Sequence, residues 1–257
     1  MTFEAGLLLV LGGIVAGFVN TLAGGGSLLT LPLLVWTGLG WDGANATGRV
    51  AVLMQSAVAV HGFFRAERRA SRGPVIGSGE AWKMAVPAVV GAGLGAWLAT
   101  RVAPAAFEPI MLVLLGVVGL AMALFPKVVL PARGTTPRAL AERPIAYPLL
   151  FLVGVYGGFL QAGVGYLLLG VFGAVLQRDL MQGNALKTLL VLAFTVVAIA
   201  VFGLTAEVDL TRGVVLGLGT MVGAHLAVRY ATKASDLAMR VILLGSLAVV
   251  LATALFD

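Results

Sequence analysis

Long apolar stretches recur along the whole chain, separated by short connections that hold most of the charge. The first runs over 6–37, and apolar stretches at about 46–64, 82–100 and 109–126 follow it. A second series repeats that order, with a long stretch at 145–176 and shorter ones at about 185–203, 211–229 and 240–256. A hydrocarbon core about 30 Å thick is crossed by roughly 20 helical residues, so each shorter stretch predicts one transmembrane helix. The two long stretches exceed a single crossing. Each is interrupted near its middle, by Ala23-Gly24-Gly25-Gly26-Ser27 in one case and by Ala162-Gly163-Val164-Gly165-Tyr166 in the other. Glycine weakens a helix, so these clusters predict breaks. The pattern therefore predicts an all-α, polytopic membrane protein in which each long stretch is a Gly-broken or re-entrant helical hairpin followed by three transmembrane helices.

The two series also match residue by residue. Gly17-Phe18-Val19-Asn20 parallels Gly158-Phe159-Leu160-Gln161, and after a two-residue slip Asn45-Ala46 parallels Asn184-Ala185. Farther on, Gly95-Ala96-Trp97-Leu98-Ala99 reads against Gly223-Ala224-His225-Leu226-Ala227. We read residues 1–130 as a first membrane repeat, 131–144 as a cytoplasmic linker and 145–257 as a second membrane repeat. Duplicated halves in a membrane protein point to a transporter with its substrate site where the repeats meet.

Composition agrees with the pattern. With 60% hydrophobic and 11% charged residues and a mean hydropathy of +1.04, there is too little polar surface to cover a soluble globule. The net charge of +6 does not indicate nucleic-acid binding, because the cations sit in loops flanking the helices. Their distribution gives the topology. If every stretch crossed once, one side would hold 10 of the 17 Lys and Arg; if each long stretch returns to its starting side, one side holds 14 of the 17. The positive-inside rule favours the second arrangement, which makes the repeats inverted and places both termini outside. Glu4 is the only charge ahead of the first stretch, so it reads as a retained helix rather than a cleaved signal peptide. The absence of cysteine removes disulfides and thiolate metal sites.

The candidate chemistry gathers at the breaks. Backbone N–H groups freed at the start of a half-helix, together with the helix dipole, favour an anion. The first break offers Asn20, Gly24, Gly25, Gly26 and Ser27, and the second offers Gln161, Gly163, Gly165 and Tyr166. The helices that follow begin with Asn45, Thr47 and Arg49 in one half and with Asn184, Lys187 and Thr188 in the other, and Gln55 lies deeper on the first of them. An ionisable group inside a membrane helix is costly and usually functional, so Arg49 and Lys187 either contact the anion or snorkel to headgroups. Scattered glycines such as Gly91, Gly93 and Gly95 read as helix-packing positions.

These same residues resemble a known family. Gly17-Phe18-Val19-Asn20, Ala23-Gly24-Gly25-Gly26-Ser27, Leu31-Pro32-Leu33-Leu34 and Ala44-Asn45-Ala46-Thr47, with an Arg-rich loop after them, are similar to the first-half signature of the sulfite exporter TauE/SafE family of membrane permeases. Gly183-Asn184-Ala185-Leu186-Lys187 resembles its second-half counterpart. The resemblance spans essentially the whole chain. It implies export, across the bacterial cytoplasmic (inner) membrane, of sulfite, a sulfonate such as sulfoacetate, or another small organic anion.

No GxxxxGK[ST] motif is present, which leaves secondary transport as the expected mode. His61 lies near a helix end, and His225, which stands where the other repeat has Trp97, reads as a packed or hydrogen-bonded histidine rather than a proton relay. The expected partners are a small anionic substrate, the lipid bilayer and a coupling proton or ion. Oligomeric state is open, a homodimer included, and no cofactor or metal is called for. An anion channel could use the same breaks, whereas a membrane-embedded enzyme would need a nucleophile and base that two distant histidines do not supply.

Overall fold

A computed structural model describes residues 1–69, 78–125, 136–204 and 208–232. The stretch expected as a helix at 240–256 and the start of the expected linker, 131–135, lie outside the described residues. Among the described residues every regular element is helical: α1 Phe3–Ala23, α2 Ser27–Trp36, α3 Trp41–Arg69, α4 Gly79–Ala99, α5 Pro104–Leu124, α6 Ala146–Phe159, α7 Val164–Gly170, α8 Leu180–Phe202 and α9 Leu210–Ala231. A π-helical turn, Val171–Val175, extends α7. The chain is a polytopic membrane protein. Four of these helices, α1, α4, α8 and α9, are long and apolar enough to cross a membrane.

Both expected breaks are present. The first long stretch splits into α1 and α2 at Gly24–Gly26, and the second into α6 and α7 at Leu160–Gly163. Helix starts follow ordinary capping chemistry: Thr2, Ser78, Asp179 and Asp209 each accept a hydrogen bond from the backbone N–H three residues on. At Asp209 the N–H of Arg212, and then its guanidinium, hold the carboxyl below its ordinary pKa. On the outside of the bundle, exposed apolar side chains recur every four residues, as in Leu7, Leu11 and Val15 of α1 and Val86, Val90 and Leu94 of α4. Four-residue spacing puts them on one helical face, and such a continuous apolar face is suited to lipid rather than water.

The packing crosses between the sequence halves. α1 lies against α9, and α4 lies against α6. Glycine permits both approaches. A Cβ on Gly17 would come within 2.3 Å of the Thr220 carbonyl oxygen, and one on Gly95 within 1.9 Å of the Val155 carbonyl oxygen. The same holds for Gly91 against Phe151, as expected of a packing glycine, whereas Gly93 meets only the side chain of Val197. Contacts advance together along both pairs, from Gly13 beside Leu216 to Phe18 beside Tyr230, and from Gly154 beside Ala88 to Gly158 beside Ala92. Each pair therefore runs parallel.

Consequently the two broken hairpins point in opposite directions. α1 starts at the end of the bundle where residues 38–43, 99–102 and 208–212 border one cleft, and α2 returns there. α6 starts at the other end, where Glu80 meets Arg178 at 2.8 Å and the Arg138 N–H donates to the Leu176 carbonyl, and α7 returns there. Two groups of helices result. One contains α1, α2, α3 and α9, the other contains α4, α6, α7 and α8, and α3 meets α8 across the boundary.

Candidate functional site

The two breaks abut at the centre of the molecule. Gly24 has φ +79°, and a Cβ there would lie 2.2 Å from the carbonyl carbon of Gly165. Gly163 also has positive φ, at +70°, and so does Gln161, at +66°. A non-glycine residue in the left-handed region carries strain that concentrates at functional sites, and Gln161 sits where the second hairpin turns.

Where a helix ends, its last carbonyls lack intrahelical partners and carry partial negative charge. Both interrupted helices end inside the bundle, and each is capped by a cation from the other half of the sequence, although at the end of α1 the Asn20 carbonyl also accepts from the Gly24 N–H. Arg49 of α3 reaches the end of α6, where Nη1 donates to the Gly157 carbonyl at 3.1 Å and Nη2 to those of Gly158 and Phe159 at 2.6 and 3.2 Å. Asn45, one turn earlier, donates to the same Phe159 carbonyl at 2.9 Å. The Phe202 ring covers the guanidinium, with Cζ 4.5 Å from the ring centroid. In the mirrored place, Lys187 of α8 reaches the end of α1. Its Nζ donates to the Asn20 and Thr21 carbonyls at 2.9 and 2.7 Å and to Asn184 Oδ1 at 2.7 Å. Arg49 is fully buried and Lys187 is 2% exposed, so neither snorkels to a headgroup.

Two further contacts lie nearby, each within one half of the sequence. Gln55 Nε2 approaches Thr21 Oγ1 at 3.5 Å, and Gln161 Nε2 donates to Thr195 Oγ1 at 2.8 Å. One half supplies the amide from α3 and the hydroxyl from α1. The other supplies the amide from the end of α6 and the hydroxyl from α8.

Between the two groups of helices lies a small cavity with a largely polar lining. Its free volume is about 10 Å³, room for about one water. Asn20, Ser27, Gln55, Gln161, Gly165 and Lys187, all expected at the site, line it. The remaining expected residues stand behind that wall. Gly24, Gly25, Gly26 and Gly163 shape the breaks, while Asn45, Arg49 and Asn184 hold helix ends or Lys187. The Tyr166 hydroxyl turns away and donates to the Phe125 and Ala121 carbonyls at 2.7 and 3.2 Å, tying the end of α5 to the second break.

Sequence reasoning missed Ser56, which lines the cavity, and Thr21 and Thr195, which hold the amides. Lone hydroxyls on apolar helices carry no spacing signal. Thr188, noted only as a hydroxyl near the second break, lines the cavity while its Oγ1 donates to the Asn184 and Ala185 carbonyls. His61 and His225 are absent from this cavity and instead border, with Arg65, Arg69 and Arg229, a cleft of about 900 Å³ between α3 and α9. At the opposite end, Asp42, Asp209, Arg212 and Phe202 border a cleft of about 740 Å³. Among the described residues there is no cluster of three or more metal-ligating side chains.

Comparison with known proteins supports a transport role. The family model "Sulfite exporter TauE/SafE" matches residues 9–254. A probable membrane transporter protein, ORF9, of a Sinorhizobium species is 28% identical over 233 residues, covering 90% of this chain and 85% of its own length. The probable membrane transporter protein YfcA of Escherichia coli K12 is 27% identical over 242 residues, covering 94% and 86%. A probable membrane transporter protein of Haemophilus influenzae is 25% identical over 219 residues, covering 84% and 81%. No solved structure matches the chain.

Proposed function

The chain belongs to the sulfite exporter TauE/SafE family, and from that premise we propose that it is a secondary transporter exporting a small sulfur-containing or organic anion, such as sulfite or a sulfonate, by alternating access. The membrane is the bacterial cytoplasmic membrane, in keeping with the bacterial relatives. The observation that carries this reading is the polar cavity where two glycine breaks abut, walled by amides, hydroxyls and one buried ammonium from both halves of the chain.

Rocking takes place between the crossed groups of helices, not between the sequence halves, because α9 is locked onto α1 and α4 onto α6 by glycine-mediated backbone approach. Arg49 and Lys187 both bridge that boundary and hold the closed state together. Parting the groups at one end would open the cavity to the cleft bordered by Asp42 and Arg212, and parting them at the other would open it towards the Arg-rich end. Irregular backbone at membrane depth is tolerated where it lines such a cavity.

Binding and counterflow in proteoliposomes test the site. Asn20→Ala, which removes a hydrogen bond to the anion, Lys187→Ala, which removes the neutralising charge, and Asn184→Ala, which frees the Lys187 ammonium from one of its acceptors, are each expected to weaken anion affinity about tenfold. Unchanged affinity in all three would remove the site assignment. Saturable counterflow identifies a carrier, and flux without counterflow identifies a channel.

We also propose that the repeats are inverted across the bilayer, with the Arg-rich end in the cytoplasm. Native cysteines are absent, so single substitutions report position cleanly. Ala141→Cys and Leu204→Cys, both at exposed positions near opposite ends of the bundle, are expected to label from opposite sides of right-side-out vesicles. Labelling of both from one side would refute the inversion.

A further inference from the structure

We propose that the central site takes an oxyanion bearing a single negative charge, neutralised by the Lys187 ammonium through charge alone, while Asn20, Ser27 and Ser56 supply hydrogen bonds to its oxygens. This rests on the anion-transport reading above and narrows it to a charge class.

Among the cavity-lining residues Lys187 is the sole ionisable one; the others are amides, hydroxyls, glycine and valines. The duplication does not mirror it. The offset that aligns Asn45 with Asn184 and Val52 with Val191 sets Gly48 opposite Lys187 and Arg49 opposite Thr188. Arg49, the other buried cation among the described residues, does not line the cavity. Its two Nη groups are spent on three carbonyls, and Phe202 covers its face. The site therefore offers one unit of positive charge. In a low-dielectric interior an uncompensated charge is disfavoured, so one negative charge balances the site and two leave it in excess.

The geometry also divides the labour. An ammonium has three N–H donors, and those of Lys187 have three acceptors in the Asn20 carbonyl, the Thr21 carbonyl and Asn184 Oδ1. No donor is left for a ligand. By contrast, the side chains of Asn20, Ser27 and Ser56 face the cavity and donate to no group among the described residues. These are the groups free to bind oxygen atoms once the helices part to admit a ligand.

A consequence for transport follows. A carrier loaded with a monoanion crosses as a neutral complex, and the empty carrier returns with one positive charge. An inside-negative potential draws that return inward and so drives net export, with no coupled proton required.

The experiment uses purified full-length protein and two sets of probes: methanesulfonate and ethanesulfonate as monoanions, sulfate and methanedisulfonate as dianions. Monoanions are expected to bind at least about tenfold more tightly than dianions in thermal-shift titrations. Lys187→Gln is expected to lose that binding at least tenfold, and Lys187→Arg to retain most of it. In proteoliposomes with the potential set by potassium and valinomycin, monoanion homoexchange is expected to ignore potential while net efflux responds to it. Equal or tighter binding of dianions, or voltage-dependent homoexchange, overturns the charge assignment and leaves anion transport standing. Absence of binding and exchange with either set overturns the transport reading and this inference together. If Lys187→Gln does not fold, wild-type charge selectivity and the voltage response still decide.

Discussion

Arg49→Ala is expected to destabilise the protein by about 3 kcal/mol, within the range measured for stripping one partner from a buried charged interaction. For a chain of this size that lowers the thermal midpoint by roughly 6–12 °C. The cause is local and identifiable. Three carbonyls at the end of α6 lose their only side-chain donors apart from Asn45, and they do so inside the bundle, where no solvent replaces them. Phe202 loses the cation beneath its ring as well, a contribution of about 1–2 kcal/mol when desolvated. Arg49→Lys keeps the charge but not the planar fork, so it recovers only part of the loss. Because Arg49 stands outside the cavity, the fraction that remains folded should bind anions with little change in affinity. Lys187 substitutions reverse that order, with affinity falling first. A thermal midpoint within about a degree of wild type in Arg49→Ala would show that the α6 end needs no cap, and the bridging role assigned to Arg49 would fall with it.

The hairpins were legible because glycine clusters inside overlong apolar runs leave few alternatives. The boundaries of α3 were less so. The apolar signal begins near residue 46 and fades near 64, yet the helix spans Trp41–Arg69. Asp42, Asn45 and Arg49 at one end and Arg65, Arg68 and Arg69 at the other dilute hydropathy without breaking the helix. Arg49 and Lys187 were visible as candidates but their partners were not. Two alternatives, headgroup and anion, came from the charge alone, whereas the observed partners are backbone carbonyls at a helix end, which no side-chain pattern advertises. Tyr166 shows the converse. Its place in the break made it a candidate, and the direction of its side chain, set by tertiary packing, sends its hydroxyl to α5. Repeat similarity between Gly95 and Gly223 was readable, but the exchange of partners was not. Each of those glycines faces a helix from the opposite half, and sequence similarity reports equivalence rather than contact.

Gly24→Ala is expected to abolish folding, a loss exceeding about 4 kcal/mol and so in the exceptional tail for a single substitution. Two independent costs add. At φ +79° an alanine pays the left-handed penalty, about 1–2 kcal/mol. Its Cβ must also enter the 2.2 and 2.4 Å spaces before the Gly165 carbonyl carbon and the Tyr166 nitrogen, and backbone cannot rotate away as a side chain can. Two comparators separate these costs. Gly38 has φ +95° and nothing within 4 Å of an added Cβ, so Gly38→Ala pays strain alone. Gly165 has no positive φ, but its Cβ would stand 2.5 Å from the Gly24 Cα, so Gly165→Ala pays collision alone. The expected order of stability in detergent is Gly38→Ala reduced by about 1–2 kcal/mol, Gly165→Ala more strongly reduced, and Gly24→Ala lowest. The order matters for function because Gly165, which meets Gly24 at the abutting breaks, lines the proposed substrate cavity. A Gly24→Ala protein as stable as Gly38→Ala would mean that the breaks do not meet. Without that meeting, Asn20 and Gln161 would no longer face one cavity, and a site shared between the halves could not exist.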